Sequence, residues 1–158
     1  MIKVSWKKIE KLSLNIAKII REQKIPYDCI IGISRSGWIP AVIIAHNLGV
    51  RELTSICIKR NKTDEINSET VSPQIIDIGL MTKKYLNWIV IDDIVGSGET
   101  IKFIRNKFSL PNRSIFVASL FFNSQNGDIN QINKLVNYYA KEEQEWIRFP
   151  WETEIINR

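Results

Sequence analysis

Apolar and polar positions along the chain follow patterns that predict helices and strands in alternation. Near the amino terminus, apolar residues recur at the three- and four-residue spacing of a helix that packs one face on a core; they are Ile9, Leu12, Ile16, Ile19 and Ile20. Ser5 precedes this pattern and is placed to cap the helix. The run "CIIGI" (29–33) is continuously apolar, as expected of a strand buried on both faces.

Further along, the same reasoning predicts three more strands and two more helices. The second helix is "GWIPAVIIAHNLG" (37–49), in which Pro40 fits the first turn and Gly49 fits the carboxyl end. The other predicted elements are strands at 53–58, 85–91 and 114–122 and a helix at 98–108. Strands that alternate with helices indicate an α/β fold with a mostly parallel sheet, which binds ligands at the carboxyl ends of its strands.

Two segments depart from this alternation. Residues 59–80 are polar, charged and aperiodic, which predicts a structureless insert that is a functional flap or partly disordered. Residues 138–152 ("YYAKEEQEWIRFPWE") carry an unusual density of aromatic side chains for a chain end. Because no repeat, low-complexity segment or linker divides the 158 residues, we expect one domain (1–158).

Composition and charge narrow the possible functions only coarsely. The chain is 44% hydrophobic and 25% charged, which is typical of a soluble globular protein. Its net charge of +5 suits an anionic ligand without naming one. No apolar run reaches membrane-spanning length, so we expect a cytoplasmic protein with no membrane partner. Nucleic acid is not an expected partner, because no stripe of clustered lysine and arginine with interleaved aromatics is present.

Cysteine and histidine are too few for several kinds of active site. Cys29 and Cys57 each lie in an apolar run and are predicted to be buried, inert thiols. One histidine in the chain excludes a His/Cys zinc cluster. His46 falls within the second predicted helix, so we interpret it as a helix residue and not as a catalytic base.

A pair of acids follows the third predicted strand in "WIVIDDIVGSGET" (88–100). Asp92 and Asp93 would repel a phosphate, but vicinal sugar hydroxyls can donate charge-assisted hydrogen bonds to both. The pair can also hold Mg²⁺, directly or through water. A simple capping role for the acids is the alternative when they are considered alone.

The loop directly after the acids has the properties of a phosphate site. Gly96 and Gly98 let the backbone approach a ligand and adopt a positive φ, and Ser97 and Thr100 add hydroxyl donors. The helix that begins near Gly98 points its free N–H groups at the same place. The loop lacks the lysine of a P-loop and the spacing of a dinucleotide fingerprint. Phosphate in this loop with ribose over the acids describes a ribose-5-phosphate site.

A second small loop follows the first strand in "GISRSGWIP" (32–40). It is rich in donors and precedes a helix, so it can hold a second anionic group such as a diphosphate. An ordinary strand-to-helix turn is the alternative for this loop by itself. Because two such loops follow neighbouring strands, binding of anionic groups is favoured over two ordinary strand-to-helix turns.

These motifs resemble those of the type I phosphoribosyltransferases. "IVIDDIVGSGET" resembles their signature for phosphoribosyl diphosphate, and "GISRSG" resembles their diphosphate loop. The segment "EWIRFPWE" (145–152) is similar to the corresponding segment of the xanthine-guanine and hypoxanthine (purine) branch. The resemblance covers most of the chain. It implies a single-domain α/β fold with a small hood from the chain ends, in which 138–158 bind the base and 59–80 form a flexible lid.

The resemblance also implies a role for each matching residue. Asp92 and Asp93 would be catalytic, hold the ribose hydroxyls and bind the metal, with Arg35 as a further catalytic residue. The 5-phosphate would lie in the loop of Ile94, Val95, Gly96, Ser97, Gly98, Glu99 and Thr100. The diphosphate would be bound by Ser34, Arg35, Ser36 and Gly37, where the family often has a cis peptide that does not involve proline. The base would be contacted by Trp146, Ile147 and Asn123, with Trp146 stacking on it. Trp151 would have a structural role.

The implied activity is transfer of ribose 5-phosphate from 5-phosphoribosyl 1-diphosphate to a purine-type nucleobase, with release of diphosphate, in nucleotide salvage. Mg²⁺ is the implied cofactor, and a homo-oligomer, dimer or larger, is the implied assembly. Two residues depart from the pattern of the 6-oxopurine branch: Gly96 replaces an aspartate and Asn123 replaces a lysine. Use of adenine or another base is therefore one alternative, and a non-catalytic regulatory or nucleotide-sensing protein on the same fold is another.

Overall fold

The computed structural model of the chain describes residues 1–61, 70–78 and 85–152. Its helices are α1 (Trp6–Glu22), α2 (Trp38–Leu48), α3 (Glu99–Phe108) and α4 (Ile129–Leu135). Its strands are β1 (Ile2–Lys3), β2 (Cys29–Ser34), β3 (Leu53–Asn61), β4 (Thr70–Ile78), β5 (Asn87–Val95), β6 (Ser114–Asn123), β7 (Tyr138–Glu143) and β8 (Ile147–Arg148).

The strands form a six-stranded sheet and a separate two-stranded sheet. The order in the large sheet is β4-β3-β2-β5-β6-β7, and all neighbouring pairs are parallel except the antiparallel pair of β3 and β4. The small sheet pairs β1 with β8 in parallel, which brings residues 2–3 next to residues 147–148. The α/β class, the mostly parallel sheet and the hood built from the chain ends were all predicted and are confirmed.

Helices cover both faces of the large sheet because its central strands contain continuous apolar runs, such as 29–33 of β2 and 88–91 of β5. Alternate side chains of a strand point to opposite faces. Ile30 and Ile89 therefore share one core with α1 and α2, whereas Ile31 and Val90 share the other with α3 and α4. The continuous apolar runs of β2 and β5 are explained by this burial on two sides.

The ends of the first two helices lie close to where the sequence predicts them. The hydroxyl of Ser5 accepts a hydrogen bond of 3.3 Å from the backbone N–H of Lys8, as a helix cap does. Helix α2 ends at Gly49, whose φ of 71° is in the left-handed region that glycine adopts without strain. His46 is exposed in the last turn of this helix, as predicted.

The prediction of a structureless insert over 59–80 is wrong for the part that the structure describes. Residues 59–61 continue β3, and residues 70–78 form β4, which pairs with β3 through two irregularities in register. The polar, aperiodic sequence hid these strands because an edge pair need not bury a regular face. The remainder of the proposed lid, residues 62–69 and 79–84, lies outside the described residues.

Three smaller predictions are also corrected. The third predicted strand, 85–91, begins and ends too early, because β5 spans Asn87–Val95. Residues 138–143 of the proposed base-binding hood form β7 of the main sheet. Cys29 is buried, and its pKa is raised to about 11 mainly by that burial, but Cys57 is only half-buried. Both cysteines are free.

Within the described part of the chain, no helix is long and apolar enough to cross a membrane.

Candidate active site

The carboxyl ends of β2, β5 and β6 meet at one edge of the sheet. These strands are parallel neighbours, with Gly32 opposite Ile91 and Val95 opposite Phe122. The loops that the sequence analysis selected follow β2 and β5 at this edge, and Asn123 is the last residue of β6. The fold therefore brings the two anion loops, the acid pair and Asn123 to one side of the molecule.

The acid pair lies inside β5 and not after it. Asp92 pairs in register with Ser119 of β6, and three more residues of β5 follow it before the strand ends at Val95. The backbone N–H of Asp93 donates a hydrogen bond of 3.0 Å to Oδ1 of Asp92. The strand therefore fixes the backbone of both acids, and this hydrogen bond also restrains the carboxyl group of Asp92.

Burial makes both acids hard to ionise, and the charge of Asp93 adds to this effect at Asp92. The pKa of Asp92 is raised well above its ordinary value of 3.8, first by burial and then by the charge of Asp93. The pKa of Asp93 is raised to about 6, mainly by burial, with a contribution from the carboxylate of Glu152. A pair of this kind gains free energy from any cation or hydroxyl donor that settles between its members. The site therefore favours ligands with positive charge or vicinal hydroxyls.

The loop after β5 is closed by a glycine in the left-handed region. Gly98 has a φ of 77° and precedes the first residue of α3, Glu99. A Cβ at Gly98 would lie 2.8 Å from Cδ1 of Leu135 and 2.9 Å from Cδ1 of Ile132, so α4 packs closely on the loop. Gly96, which we expected to use a positive φ if required, does not. The start of α3 directs its first backbone N–H groups toward this loop.

The loop after β2 lies directly against the acid pair. Its Ser34–Arg35 peptide bond is cis, as the resemblance implies, and Arg35 is exposed. Gly37 precedes α2, and a Cβ there would lie 2.7 Å from the carbonyl oxygen of Ile91 and 3.0 Å from Cα of Asp92. Ser36 accepts a backbone hydrogen bond of 3.2 Å from Ile39, which holds the loop as a tight turn.

The segment around β8 is held by hydrogen bonds to the segment around β1. The N–H of Ile2 donates to the carbonyl of Trp146 at 2.8 Å, and the N–H of Val4 donates to the carbonyl of Arg148 at 3.0 Å. Because successive residues of a strand direct their backbone groups to opposite sides, the N–H and C=O of Ile147 point away from β1. Trp146, next to it, has 44% of its side chain exposed.

Trp151 packs within the protein, in contrast to Trp146. Its ring stacks on that of Phe149 with a centroid distance of 4.7 Å and an angle of 8°. It also lies 5.8 Å from the ring of Trp6. These contacts explain the high aromatic content of this segment as packing, with Trp146 as the exposed member.

Glu152 is a residue near the site that sequence reasoning missed. Its Oε2 accepts a hydrogen bond of 2.9 Å from the N–H of Phe149, and its own N–H donates to the carbonyl of Phe149 at 3.1 Å. It is close enough to Asp93 to raise the pKa of that carboxyl. No pattern in the sequence signals the approach of this acid to β5, because it depends on how the hood folds back.

The turn between β6 and α4 is a second element that the sequence analysis missed. A Cβ at Gly127 would overlap the carbonyl oxygen of Gly96, so the two backbones are in direct contact. A Cβ at Gly96 would lie 3.3 Å from Cβ of Asn126 in the same turn. The dipeptide Asn126–Gly127 is a turn signal, but nothing local indicates what the turn contacts.

Asn123 is the last residue of β6 and is buried, with 4% of its surface exposed. Its Oδ1 accepts a hydrogen bond of 3.0 Å from the N–H of Gln125, and it pairs in register with Glu143. The side-chain oxygen is therefore used within the turn, which leaves the NH₂ group as the donor that a ligand can use.

The residues present fit a magnesium ion that arrives with its substrate. No group of three or more potential metal ligands occurs within the part of the chain that the structure describes. Mg²⁺ is commonly held by one or two carboxylates together with substrate phosphates and water. Asp92 and Asp93 supply two carboxylates, and the adjoining loops are places for phosphates.

Known proteins are similar to this chain over nearly its whole length. The family model described as the phosphoribosyl transferase domain matches residues 5–156. The xanthine-guanine phosphoribosyltransferase of Nitratidesulfovibrio vulgaris (strain DP4) is 27% identical over 154 residues, which cover 96% of this chain and 85% of that protein. The enzyme of the same name from Idiomarina loihiensis is 26% identical over 152 residues, which cover 94% of this chain and 85% of that protein.

A solved structure is similar as well. The crystal structure of a purine phosphoribosyltransferase from Pyrococcus horikoshii matches with a TM-score of 0.75 and 27% sequence identity. The match covers 99% of this chain and 97% of that one.

Proposed function

Because the chain belongs to the phosphoribosyl transferase family, we propose that it transfers ribose 5-phosphate from 5-phosphoribosyl 1-diphosphate to a purine-type nucleobase and releases diphosphate. Relatives named as xanthine-guanine phosphoribosyltransferases cover nearly the whole chain. A similar structure is that of a purine phosphoribosyltransferase. The reaction belongs to nucleotide salvage, and a cytoplasmic homo-oligomer remains our expectation for the working protein.

The observation that carries this proposal is the position of the acid pair between two loops. Asp92 lies in contact with Gly37 of the loop after β2, and β5 leads from the acids into the loop that precedes α3. The acids suit the diol of a ribose, and the amides at the start of α3 suit its 5-phosphate. The loop of Ser34–Gly37 is then left for the diphosphate.

The chemistry demands little covalent participation by the protein. Diphosphate leaves the anomeric carbon as a ring nitrogen of the base attacks, through a transition state with positive charge on the sugar. Asp92 and Asp93, which face the sugar, stabilise that positive charge. The backbone amides and Arg35 of the other loop stabilise the negative charge that develops on the diphosphate. Mg²⁺, when bound at the acids, supplies further positive charge next to the phosphates.

The base is assigned to the space beneath the hood. The exposed ring of Trp146 is available for stacking, and the N–H and C=O of Ile147, which point away from β1, can bond the edge of the base. The NH₂ of Asn123 is available to donate to a base oxygen. Exclusion of water from the activated sugar remains our proposal for the segment 59–80, whose described part consists of the end of β3 and of β4.

A second candidate function is suggested by Gly96 and Asn123. Both lack the charged group that the resemblance to the 6-oxopurine branch implies at their positions, while the sugar-phosphate residues are retained. A protein that binds phosphoribosyl diphosphate or a nucleotide as a sensor, without transfer, has the same pattern. A transferase for adenine or another base does as well.

One assay separates these functions. The protein is incubated with phosphoribosyl diphosphate, Mg²⁺ and a panel of purine bases, and nucleotide and diphosphate are quantified. We expect turnover with at least one base, and a loss of at least about 100-fold in kcat for Asp92→Asn and for Asp93→Asn. Nucleotide binding by calorimetry without turnover on any base would support the sensor.

Two further substitutions test the assignment of the base site. Gly96→Asp and Asn123→Lys should each raise kcat/KM for 6-oxopurines relative to adenine, because they introduce the charged groups implied by the resemblance. Asn123→Lys also removes the acceptor of the Gln125 N–H, so its melting temperature must be measured in parallel. Unchanged base preference in both folded variants would contradict the assignment.

A further inference from the structure

Helix α4 packs beside the amino end of α3, where the proposed function places the 5-phosphate. With seven residues, α4 is too short to be stable by itself, so its position depends on its tertiary contacts. A Cβ at Gly98, the residue before α3, would lie 2.8 Å from Cδ1 of Leu135 and 2.9 Å from Cδ1 of Ile132. These two side chains of α4 therefore support the phosphate loop from one side.

Arg105, in the last turn of α3, binds the carboxyl end of α4. Its Nε donates to the carbonyl of Leu135 at 2.8 Å, and its Nη2 donates to Oδ1 of Asn137 at 2.9 Å. Its Nη1 donates to the carbonyl of Ile115 in β6 at 3.1 Å. All three nitrogens of the guanidinium are thus used in one planar fork, which joins the end of α4 to the main sheet.

Leu135 connects the two ends of α3. Its side chain lies against Gly98, and its carbonyl accepts the hydrogen bond from Arg105. Gly98 and Arg105 are seven residues apart in the chain, which is about 10 Å along a helix. Leu135 is the last residue of α4, where the carbonyls have no donor within the helix. The guanidinium satisfies this carbonyl and places a positive charge at the carboxyl end of α4, which stabilises the helix.

We propose, on the basis of the proposed function, that Arg105 is a positioning residue for the 5-phosphate, which acts through Leu135 without contacting the substrate. With Arg105 in place, the end of α4 stays bound to β6 and Leu135 stays packed on Gly98. The loop then keeps its backbone N–H groups directed at the phosphate before the substrate arrives. Without Arg105, the last turn of α4 frays, Leu135 moves away from Gly98 and the loop loses this preorganisation.

The test uses two ligands that separate the two loops. Ribose 5-phosphate engages the loop before α3, whereas inorganic diphosphate with Mg²⁺ engages the loop of Ser34–Gly37. Calorimetry measures Kd of each ligand for the whole protein and for the variants Arg105→Ala and Leu135→Ala. We expect Kd for ribose 5-phosphate to rise about tenfold in each variant, because the loop is displaced, while Kd for diphosphate stays unchanged.

The double variant, Arg105→Ala with Leu135→Ala, shows whether the two residues act as a unit. If Arg105 acts through Leu135, the double variant should lose no more affinity for ribose 5-phosphate than either single variant. Losses that multiply would overturn the inference. Arg105→Lys keeps the charge but not the fork, so its Kd should lie between those of the wild-type protein and Arg105→Ala. This variant and Leu135→Ala carry the test if Arg105→Ala does not fold.

Lys107→Ala is the matched control. It removes the same charge from an exposed side chain in the same last turn of α3. We expect wild-type Kd values for both ligands, which would show that the loss in Arg105→Ala is not a general effect of charge on anion binding. Equal losses in the Arg105 and Lys107 variants, or equal losses for both ligands, would overturn the inference. A lower melting temperature of Arg105→Ala with unchanged Kd for ribose 5-phosphate would overturn it as well.

Failure of the proposed function gives a different result. Absence of turnover on every base, with ribose 5-phosphate bound and weakened by Arg105→Ala, would refute transfer and support the role of Arg105 in binding. Absence of ribose 5-phosphate binding to the wild-type protein would refute both proposals.

Discussion

A Cβ at Gly37 would lie 3.0 Å from Cα of Asp92, so the loop after β2 touches the acid pair through backbone atoms. This contact joins the place assigned to the leaving diphosphate with the place assigned to the sugar. It depends on the absence of a side chain at residue 37. The close approach of the loop after β2 to the acid pair of β5 thus depends on one glycine.

Gly37→Ala is expected to push the loop after β2 away from β5 and its acid pair. The added methyl group would lie 2.7 Å from the carbonyl oxygens of Ile33 and Ile91, and backbone atoms cannot move aside without shifting β5 or the loop. We expect kcat/KM for phosphoribosyl diphosphate to fall by about 100-fold, as a displacement of about 1 Å can cause. Steady-state kinetics at saturating base measures this.

Gly49→Ala serves as the control for that variant. Gly49 has a positive φ, so alanine there costs about 1 kcal/mol of stability, but a Cβ would meet nothing within 4 Å. Activity should be retained. Equal activity of the two variants would show that the contact between Gly37 and Asp92 is unimportant for catalysis.

The raised pKa of Asp93 predicts that the acid pair destabilises the free protein above acidic pH. Below about pH 3.8, Asp93 is protonated in both the folded and the unfolded state and has no net effect. Between 3.8 and about 6, the unfolded chain releases its proton while the folded protein retains it, so stability falls as pH rises. Above that window the loss stays constant at a few kcal/mol at most, since one pKa unit corresponds to about 1.4 kcal/mol.

Asp93→Asn should therefore stabilise the protein at about pH 8 by roughly 1–3 kcal/mol while abolishing transfer, and should have little effect at about pH 4. Urea denaturation at the two pH values measures the change.

Asp28→Asn should behave in the opposite way. Its pKa is lowered, first by the backbone N–H of Asn87 and then by that of Leu86, so its contribution is present above pH 3.8 and is lost as pH falls through the lowered pKa. A destabilised Asp93→Asn protein at pH 8 would contradict this account.

Truncation of the two tryptophans of the hood should affect different properties, namely KM for the base at Trp146 and stability at Trp151. Trp146→Ala removes a side chain that is 44% exposed, so we expect KM for the base to rise about tenfold or more with little change in melting temperature. Trp151→Ala removes the stacking on Phe149 and the contact with Trp6, so we expect a loss of about 2–4 kcal/mol in unfolding free energy. If Trp146→Ala lowers the melting temperature and leaves KM for the base unchanged, its assignment to the base is wrong.

Gly127→Ala tests whether the turn after β6 supports the phosphate loop. The added methyl group would overlap the carbonyl oxygen of Gly96 and lie 2.9 Å from Cε2 of Phe122, so the loop or the turn must move. We expect affinity for phosphoribosyl diphosphate to fall about tenfold or more, measured by calorimetry with Mg²⁺ present. Asn126→Ala, one residue earlier, keeps Gly127 and should leave this affinity unchanged. Similar loss in both variants would mean that the side chain of Asn126, and not the backbone contact, supports the loop.

Much of the fold follows from local patterns. Helix α1 was predicted from its apolar spacing, and β2, α2, α3 and β6 lie within a few residues of their predicted bounds. The strands β2 and β6 were recognisable because burial on both faces requires a long apolar run. Short or partly exposed elements were missed, namely β1, β4, α4, β7 and β8. Their sequences carry no regular pattern, since their positions are fixed by what they pair with.

The sequence by itself identified the acid pair, the two loops that we propose bind anions and the residues to test, because these groups occur in consecutive positions with recognisable chemistry. Tertiary structure alone decided which of these groups meet: the contact of Gly37 with Asp92, the backbone of Gly127 on Gly96, and the approach of Glu152 to Asp93. The physical reason is that contacts between distant segments depend on strand order and register. Those are set by the burial of the whole core, and no single segment encodes them.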